Sequence, residues 1–270
     1  MRDEGGVLFV EITAPPINLL GPDLVRDLVS LIRRAEADDT VKVVVFMSGD
    51  PDYFISHVDL TRVAEYRAEA AKLVGEPSIA LLFHHLSASR LVTIAQIEGR
   101  VRGAGSEFAL ACDMRFAAGA SAMFGQFEPA FGLLPGGGAT QHLVRLMGRA
   151  RALEVMLSAD DYDAQLAERY GWVNRALPDD DIAEFVRTLA HRIARFPGPG
   201  HIAVKDRVNA IALAPAEAFR RDSDIFGDGV SDPQVQSRIQ AAFQHGLQTR
   251  DGEMTLTRIL RSLADHQSNS

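Results

Sequence analysis

The first fifty residues contain the pattern that most constrains the fold. Two apolar runs rich in β-branched residues, GVLFVEI (6–12) and VKVVVFMS (41–48), predict strands, and the second is apolar almost throughout, which is typical of a strand covered on both faces. The segment between them, PDLVRDLVSLIRRAEAD, begins with Pro22 at a favourable first helical position and repeats leucine and isoleucine along one stripe. Because strands joined by a crossover helix normally pair in parallel, this pattern predicts an α/β fold.

Later segments continue the alternation of strands and helices, and the last part of the chain is then mainly helical. LVTIAQIEG (91–99) predicts a third strand, while MRFAAG (114–119), AMFGQ (122–126) and WVNRAL (172–177) predict shorter ones. Helical patterns dominate the last third of the chain almost completely. We therefore expect a core domain over residues 1–200 and a helical C-terminal region over residues 201–270.

Charge, cysteine content and the N-terminus argue against several classes of protein. The formal net charge of -8 disfavours nucleic-acid binding, because affinity for phosphates needs clustered cations. The single cysteine, Cys112, lies in an apolar run, so we expect it to pack in the core. The N-terminus lacks the apolar core of a signal peptide, and no segment reaches the ~20 apolar residues of a membrane span. We expect a cytoplasmic protein without membrane contact and, because its histidines show no metal-ligand spacing, without a bound metal.

The stretch YFISHVDL (53–60) brings Ser56, His57 and Asp59 close together in sequence, as if for a serine hydrolase triad. Neighbouring side chains on an extended chain diverge, whereas a triad needs its histidine in contact with both partners. The strained G-x-S-x-G turn that presents a nucleophilic serine is also absent. A turn or a strand end is the better interpretation of this stretch.

A glycine-containing turn, GRVRGAGSEFALA, follows the strand at 91–99 and precedes an apolar helix. It is not a dinucleotide-binding motif, because Phe108 occupies the position of the third glycine. Backbone N–H groups at residues 103–106 would be exposed at the helix N-terminus, where they can stabilise negative charge. From this turn alone, ordinary turn chemistry is the better explanation of the same residues.

Two glutamates lie in unusually apolar surroundings. Glu107 is followed by FALAC, and Glu128 is enclosed by phenylalanines in FGQFEPAFG, so we expect both carboxyl groups to be partly desolvated, with raised pKa values suited to proton transfer. Such a pair near a glycine turn is typical of a site that moves protons beside a developing oxyanion. Glycosidases also pair carboxylates, but a chain with one tryptophan and four tyrosines offers few aromatic platforms for sugars.

Five segments in this order resemble the enoyl-CoA hydratase/isomerase, or crotonase, superfamily: ITAPPINLLGPDL, DDTVKVVVFMSGDPDYFISHVDL, IAQIEGRVRGAGSEFALACDMRFAA, FGQFEPAFGLLPGGGATQHLVRLMG and RARALEVMLSADDYDAQLAERYGWVNRALP. The resemblance covers roughly residues 6–210. It implies a spiral of ββα units with a helical C-terminal region that builds homotrimers, often paired into hexamers. It also implies an acyl-CoA substrate and no permanently bound cofactor, coenzyme A entering as part of the thioester.

The resemblance also implies roles for individual residues. The family segment F-x-A-G-A-D-L falls on residues 54–60 and makes the backbone N–H of Val58 one donor to the thioester oxygen, while G-G-G-x-E falls on residues 103–107 and makes Ala104 the second. Contacts with substrate or coenzyme A are implied at Ser56, His57, Asp59, Leu60 and Gly103. In hydratases of the family both carboxylates act, so Glu107 would activate the water that adds at the β-carbon, and Glu128 would exchange the proton at the α-carbon. An isomerase needs only one carboxylate, and a non-catalytic acyl-CoA binder is a further alternative.

The sequence departs from the family pattern at three places. His57 and Val58 replace the usual Gly-Ala, so either this turn needs no positive φ or it is shaped differently. Ala104 replaces the middle glycine of the second turn. The lysine-rich ending common in fatty-acid hydratases is missing, and Lys205 and Arg207 are either substitutes that bind the cofactor phosphates or part of a solvated helix face.

Overall fold

The computed structural model describes residues 2–267, with side chains for residues 5–263. The strands are β1 (Arg2–Glu4), β2 (Val7–Ile12), β3 (Val43–Ser48), β4 (Tyr53–Ile55), β5 (Val92–Ile97), β6 (Arg100–Arg102), β7 (Met114–Ala118), β8 (Met123–Gly125), β9 (Asp161–Asp163) and β10 (Arg175–Leu177). The helices are α1 (Pro22–Ala37), α2 (Val63–Val74), α3 (Ile79–Ala88), α4 (Ala104–Ala111), α5 (Glu128–Phe131), α6 (Ala139–Ser158), α7 (Ala164–Tyr170), α8 (Ile182–Arg195), α9 (Gly198–Ala212), α10 (Ala216–Val230), α11 (Pro233–Gln244), α12 (Arg250–Met254) and α13 (Leu256–Gln267).

The strands form two sheets. The larger has the order β1-β2-β3-β5-β7-β10, and all its pairs are parallel except β1 with β2. The smaller has the order β4-β6-β8-β9, with β4, β6 and β8 parallel. The predicted strands and their parallel pairing are therefore confirmed.

The apolar run at β3 is covered on both faces, as its sequence predicts. Val43 and Val45 contact the helix α8 side of the sheet through the cluster that includes Val186. The alternate residues, Val44 and Phe46, belong to the larger core on the α1 side. Successive strand side chains point to opposite faces, so a run that is apolar at every position needs a helical layer on each side.

The chain repeats one unit three times: β3, β4, then α2 and α3; β5, β6, then α4; β7, β8, then α5 and α6. This is the predicted spiral of ββα units. Because β4, β6 and β8 lie side by side in parallel, the segments that leave them emerge at one edge of the small sheet. The turn after β4, the start of α4 and the segment leading to α5 are thereby brought together.

Helices of the C-terminal region beyond α9 pack back toward this edge. Side chains of α11 and α13 join Phe127 and Phe131 in a separate apolar cluster, and α10 packs on α3. The C-terminal region is helical as predicted, although residues 268–270 lie outside the described part of the chain. No helix within residues 2–267 combines the length and apolar character needed to cross a bilayer.

The start of α4 lies directly against β4. A Cβ atom added at Gly105 would stand 2.0 Å from the carbonyl oxygen of Ile55, so no side chain fits between the helix and the strand. Glycine here allows a close approach of two backbones. The distance between the two chain segments depends on this one position.

We predict that Gly105→Ala destabilises the protein by more than about 3 kcal/mol, because backbone atoms must move to admit the methyl group. Gly200→Ala is the matched control, since Gly200 is also helical but has no atom within 4 Å of its added Cβ. The control should leave stability unchanged or raise it by about 0.5–1 kcal/mol. Urea unfolding followed by circular dichroism measures both, and equal midpoints for Gly105→Ala and the wild type would contradict the packing described.

Candidate active site

A cavity opens where the edge of the small sheet meets the C-terminal helices. Its empty space, including the part that opens to solvent, amounts to about 590 Å³. Its lining combines apolar side chains from five helices with a few polar groups. The lining includes His57, Val58, Leu60, Tyr66, Arg67, Ala104, Glu107, Phe127, Glu128, Gly137, Ser223, Phe226 and Ile239.

Val58 presents its backbone N–H without a protein partner. Leu20 pairs with the residues on either side, since its N–H donates to the His57 carbonyl at 2.8 Å and its carbonyl accepts from the Asp59 N–H at 3.2 Å. The polar backbone groups of Val58 therefore lie on the opposite edge of this segment. Within the described chain its N–H has no acceptor, and Val58 lines the cavity.

Ala104 offers a second such group. It is the first residue of α4, and N–H groups of the first helical turn have no intrahelical acceptor. Two backbone hydrogen bonds fix the neighbouring Gly103: its N–H donates to the Gly125 carbonyl, and its carbonyl accepts from the Glu107 N–H. The structure thus brings Val58 and Ala104 to the same cavity, each with an N–H that has no acceptor among the described residues.

The turn at His57 and Val58 does not require glycine. The non-glycine residues with positive φ in the described chain are Asn18, Ala159 and Gln248. The sequence left open whether this turn needs no positive φ or is shaped differently from the family pattern. The turn needs no positive φ, so residues with a side chain are accommodated there without strain.

Glu107 is buried at the cavity wall with one oxygen fixed. Its Oε1 accepts hydrogen bonds from the N–H of Gly137 at 2.7 Å and of Ala139 at 3.0 Å. A Cβ atom at Gly137 would lie 2.4 Å from Oε2, so the glycine makes room for the carboxylate. Burial, followed by the negative charge of Glu128, raises the pKa of Glu107 to about 8, against the opposing effect of the two N–H groups.

Glu128 begins α5 on the other side of the cavity. The side-chain amide of Gln126 donates to its two oxygens at 3.0 and 2.9 Å. Burial raises the pKa of Glu128 to about 7, partly offset by hydrogen bonds that favour the charged form. Both desolvated carboxyl groups predicted from the sequence are therefore present, and they influence each other's ionisation.

His57 is held by a glutamate that sequence reasoning missed. Its Nε2 lies 2.9 Å from Oε1 of Glu253 on α12, and its Nδ1 lies 2.7 Å from the Val58 carbonyl oxygen. Both side chains are buried, and Arg102 donates to the Glu253 backbone carbonyl at 2.7 Å. Burial opposes protonation of His57, but Glu253 outweighs it, so the pKa of His57 is raised, while the same pair lowers that of Glu253 against the effect of burial.

Gln248, which precedes α12, also holds the turn at residues 57–60 by hydrogen bonds. The Leu60 N–H donates to Oε1 of Gln248 at 3.0 Å, and the Gln248 amide donates to Asp59 at 3.3 Å. The Gln248 N–H in turn donates to Glu253 at 2.9 Å. No local sequence signal could reveal these contacts, since nearly 200 positions separate the partners.

The other residues singled out in the sequence have structural partners. The Ser56 hydroxyl is fully buried and donates to the Ile17 carbonyl, so Ser56 and His57 do not form a triad with Asp59. Cys112 packs in the core as expected. Lys205 fits neither earlier alternative, because it is buried and donates to Leu91 and Asp113 at 2.6 and 2.8 Å. Arg207 is exposed on α9, consistent with a solvated helix face.

Among the residues assigned to substrate contact, Leu60 and His57 line the cavity, but both ring nitrogens of His57 are already engaged. The Asp59 carboxylate accepts from Thr61 and Gln248. Gly103 has φ 48°, and a Cβ there would lie 3.1 Å from the Glu128 carboxylate. Their contact with substrate stays a prediction.

Comparison with known proteins gives a consistent result. The family model described as enoyl-CoA hydratase/isomerase matches residues 2–248. The 2,3-dehydroadipyl-CoA hydratase of Escherichia coli K12 is 34% identical over 70% of this chain and 72% of its own. A probable enoyl-CoA hydratase of Rhizobium meliloti is 30% identical over 84% and 87%. The chain spans only 31% of another relative, the fatty acid oxidation complex subunit alpha of Shewanella frigidimarina, which is 30% identical over 82% of this chain.

Solved structures show the same relationship. An enoyl-CoA hydratase candidate from Streptomyces avermitilis superposes with a TM-score of 0.94 at 49% identity, over 96% of this chain and 94% of its own. Pseudomonas aeruginosa DspI gives 0.71 at 28% identity, over 84% and 93%. Because the family model matches residues 2–248 and the fold agrees with it, this protein belongs to the enoyl-CoA hydratase/isomerase family.

Proposed function

We propose that the protein is an enoyl-CoA hydratase that adds water to a 2-enoyl-CoA thioester or removes it from the 3-hydroxyacyl product. The observation that carries this proposal is the pair of buried carboxyl groups, Glu107 and Glu128, with raised pKa values on a cavity that also receives two unpaired backbone N–H groups. Coenzyme A would enter as part of the substrate, with no permanently bound cofactor. Assembly into homotrimers or hexamers stays a prediction.

The two N–H groups would bind the thioester oxygen. Addition of water at the β-carbon moves the electrons of the double bond toward the carbonyl and places negative charge on its oxygen. Fixed N–H dipoles of Val58 and Ala104 stabilise that charge most as it develops, and losing one such donor typically slows catalysis about 10²- to 10³-fold. Leu20 and Gly125 fix the segments that carry these groups, so little reorganisation is needed.

The two carboxyl groups would share one proton. In hydration, Glu107 takes a proton from the water whose oxygen bonds to the β-carbon, and Glu128 gives a proton to the α-carbon as the enolate collapses. Dehydration runs the same transfers backwards, with Glu128 as base and Glu107 as acid. Each direction needs one protonated and one ionised carboxyl group. The raised pKa values of about 8 and 7 support a singly protonated pair near neutral pH, with the proton mainly on Glu107, from which dehydration starts; hydration starts from the form with the proton on Glu128.

We predict that Glu107→Ala lowers hydration of crotonyl-CoA by about 10²- to 10⁴-fold, because no base remains for the water. Exchange of the α-proton of butyryl-CoA in deuterated water should persist, since that step uses Glu128. Hydration is followed by loss of absorbance of the conjugated thioester, and exchange by mass spectrometry. Retention of double-bond isomerisation with no wild-type hydration would instead identify an isomerase, and absence of both reactions in the wild type would identify a non-catalytic binder.

The pH dependence of kcat/KM should be bell-shaped with limbs near pH 7 and pH 8. As pH falls below the lower value both carboxyl groups become protonated and no base remains. As pH rises above the higher value both ionise and no acid remains. Initial hydration rates between pH 5 and 10 measure the profile, and a single limb at pH 4–5 would show that the two carboxyl groups are not desolvated in solution.

We predict that Glu253→Gln lowers the free energy of unfolding by about 3–5 kcal/mol, because it leaves half of a buried ion pair. The pKa of His57 is raised in the folded protein, so the ion pair stabilises the fold fully at pH values below the pKa of an unfolded histidine. This stabilisation is lost as pH rises through the folded-state pKa of His57. The pKa of Glu253 is lowered in the folded protein, so its carboxylate stabilises the fold at pH values above the pKa of an unfolded glutamate. This stabilisation is lost as pH falls through the folded-state pKa of Glu253. The difference in free energy of unfolding between Glu253→Gln and the wild type should therefore shrink at alkaline pH.

Urea unfolding at pH 6 and pH 10 measures this change. Glu36→Gln is a matched control, because Glu36 also pairs with a histidine, His85, but both side chains are partly exposed. The control should cost less than about 1 kcal/mol. An equal loss for the two variants would mean that the His57–Glu253 pair is not buried.

A further inference from the structure

The cavity lining includes three polar side chains that the proposed hydration does not use: Tyr66 and Arg67 on α2, and Ser223 on α10. Tyr66 and Ser223 are each 1% exposed. Neither hydroxyl makes a hydrogen bond to any described residue, although both residues line the cavity. The described chain offers these hydroxyl groups of two cavity-lining residues no hydrogen-bond partner, so a polar group of a ligand in the cavity can pair with them.

Arg67 carries a positive charge that no carboxylate balances. Its recorded hydrogen bond goes from Nη1 to the Ser223 carbonyl oxygen at 3.2 Å, and none of the described carboxylates lies within 4.0 Å of it. Arg62, five positions earlier on the chain, binds the carboxylate of Glu65 at 2.6 Å. Arg67 therefore keeps most of its five N–H donors for something other than a protein acid.

The position of the guanidinium is built into the packing of the two helices. A Cβ atom at Gly227 on α10 would stand 3.1 Å from Nη1 of Arg67 and 3.4 Å from its central carbon. The absence of a side chain at Gly227 lets the guanidinium lie flat against α10 beside the cavity. Its side chain is half-buried there, which strengthens its interaction with an anion relative to a fully solvated arginine.

The rest of this wall is apolar. Phe226 and Ile239 are buried and line the same cavity, and they suit a hydrocarbon segment. A purely hydrocarbon acyl chain would leave the tyrosine hydroxyl and the arginine unsatisfied. A chain that ends in a carboxylate would satisfy both, since a guanidinium binds a carboxylate through two parallel N–H bonds and a phenol donates one more.

We propose that the acyl group of the substrate carries a carboxylate at the end remote from the thioester, and that Arg67 and Tyr66 bind it. This inference rests on the proposed function only for the identity of the thioester, because the binding of the carboxylate does not depend on catalysis. Arg67 and Tyr66 determine specificity and take no part in the proton transfers of Glu107 and Glu128. The phosphates of coenzyme A are the other anions that could reach Arg67, and the experiment separates the two sources.

The experiment measures affinity with two saturated six-carbon CoA thioesters, one ending in a methyl group and one in a carboxylate. Both carry the same coenzyme A and neither can be hydrated, so titration calorimetry of the full-length protein reports binding alone. We expect the wild type to bind the carboxylate-ended thioester at least about 10-fold more tightly. Arg67→Met should lose about 10- to 100-fold for that ligand and less than about 3-fold for the methyl-ended one.

Two further variants test the assignment. Tyr66→Phe should weaken binding of the carboxylate-ended thioester about 5-fold and leave the other unchanged. Arg62→Met is the matched control, since it removes a partly exposed arginine that is already paired with Glu65, and it should change neither affinity. Circular dichroism of each variant at the temperature of the titration verifies that it is folded.

Three outcomes would overturn the inference: equal affinity of the wild type for the two thioesters, preference for the methyl-ended one, or an equal loss for both ligands in Arg67→Met. The last would assign Arg67 to the coenzyme A phosphates. Turnover of the corresponding 2-enoyl thioesters is measured in parallel. If the wild type discriminates in binding but hydrates neither, the proposed hydratase function fails while the carboxylate site stands.

Discussion

The contact between the first turn of α4 and strand β4 controls most of what this cavity can do. Gly105 allows the helix backbone to reach the carbonyl of Ile55, and that approach sets how far Ala104 lies from the turn that carries Val58. A helix displaced by the width of one methyl group would separate the two N–H groups that, in the proposed mechanism, bind a single oxygen atom. The same helix carries Glu107 in its first turn, so one backbone contact positions a donor and a carboxylate together.

The sequence predicted those features of the fold and of the cavity that depend on local residue patterns. The apolar run at 43–46 required two covering layers, and the structure supplies α8 on one face and the α1 side on the other. Glu107 and Glu128 could be selected because their neighbours in sequence are apolar, and burial follows from those neighbours. The parallel order of β4, β6 and β8 then explains why segments about fifty and twenty residues apart share one edge.

Other parts could not be predicted, because their determinants lie far apart along the chain. Nothing near His57 indicates that a glutamate 196 positions later completes its environment. Lys205 looked like a surface cation in a helical pattern, but its ammonium group is enclosed by Leu91 and Asp113 from the core. Arg67 gave no signal either, since the space for its guanidinium comes from the missing side chain at Gly227 on α10, which lies far along the chain.

The distance along the chain between His57 and Glu253 has a consequence for the biosynthesis of the protein. During synthesis the turn with Val58 precedes Glu253, so its buried histidine finds its acid partner only after 196 further residues. Phe226 and Ile239, which close the cavity, also arrive late. A nascent chain that does not yet include α10 and α11 therefore lacks two of the apolar side chains that enclose Glu107 and Glu128 in the cavity.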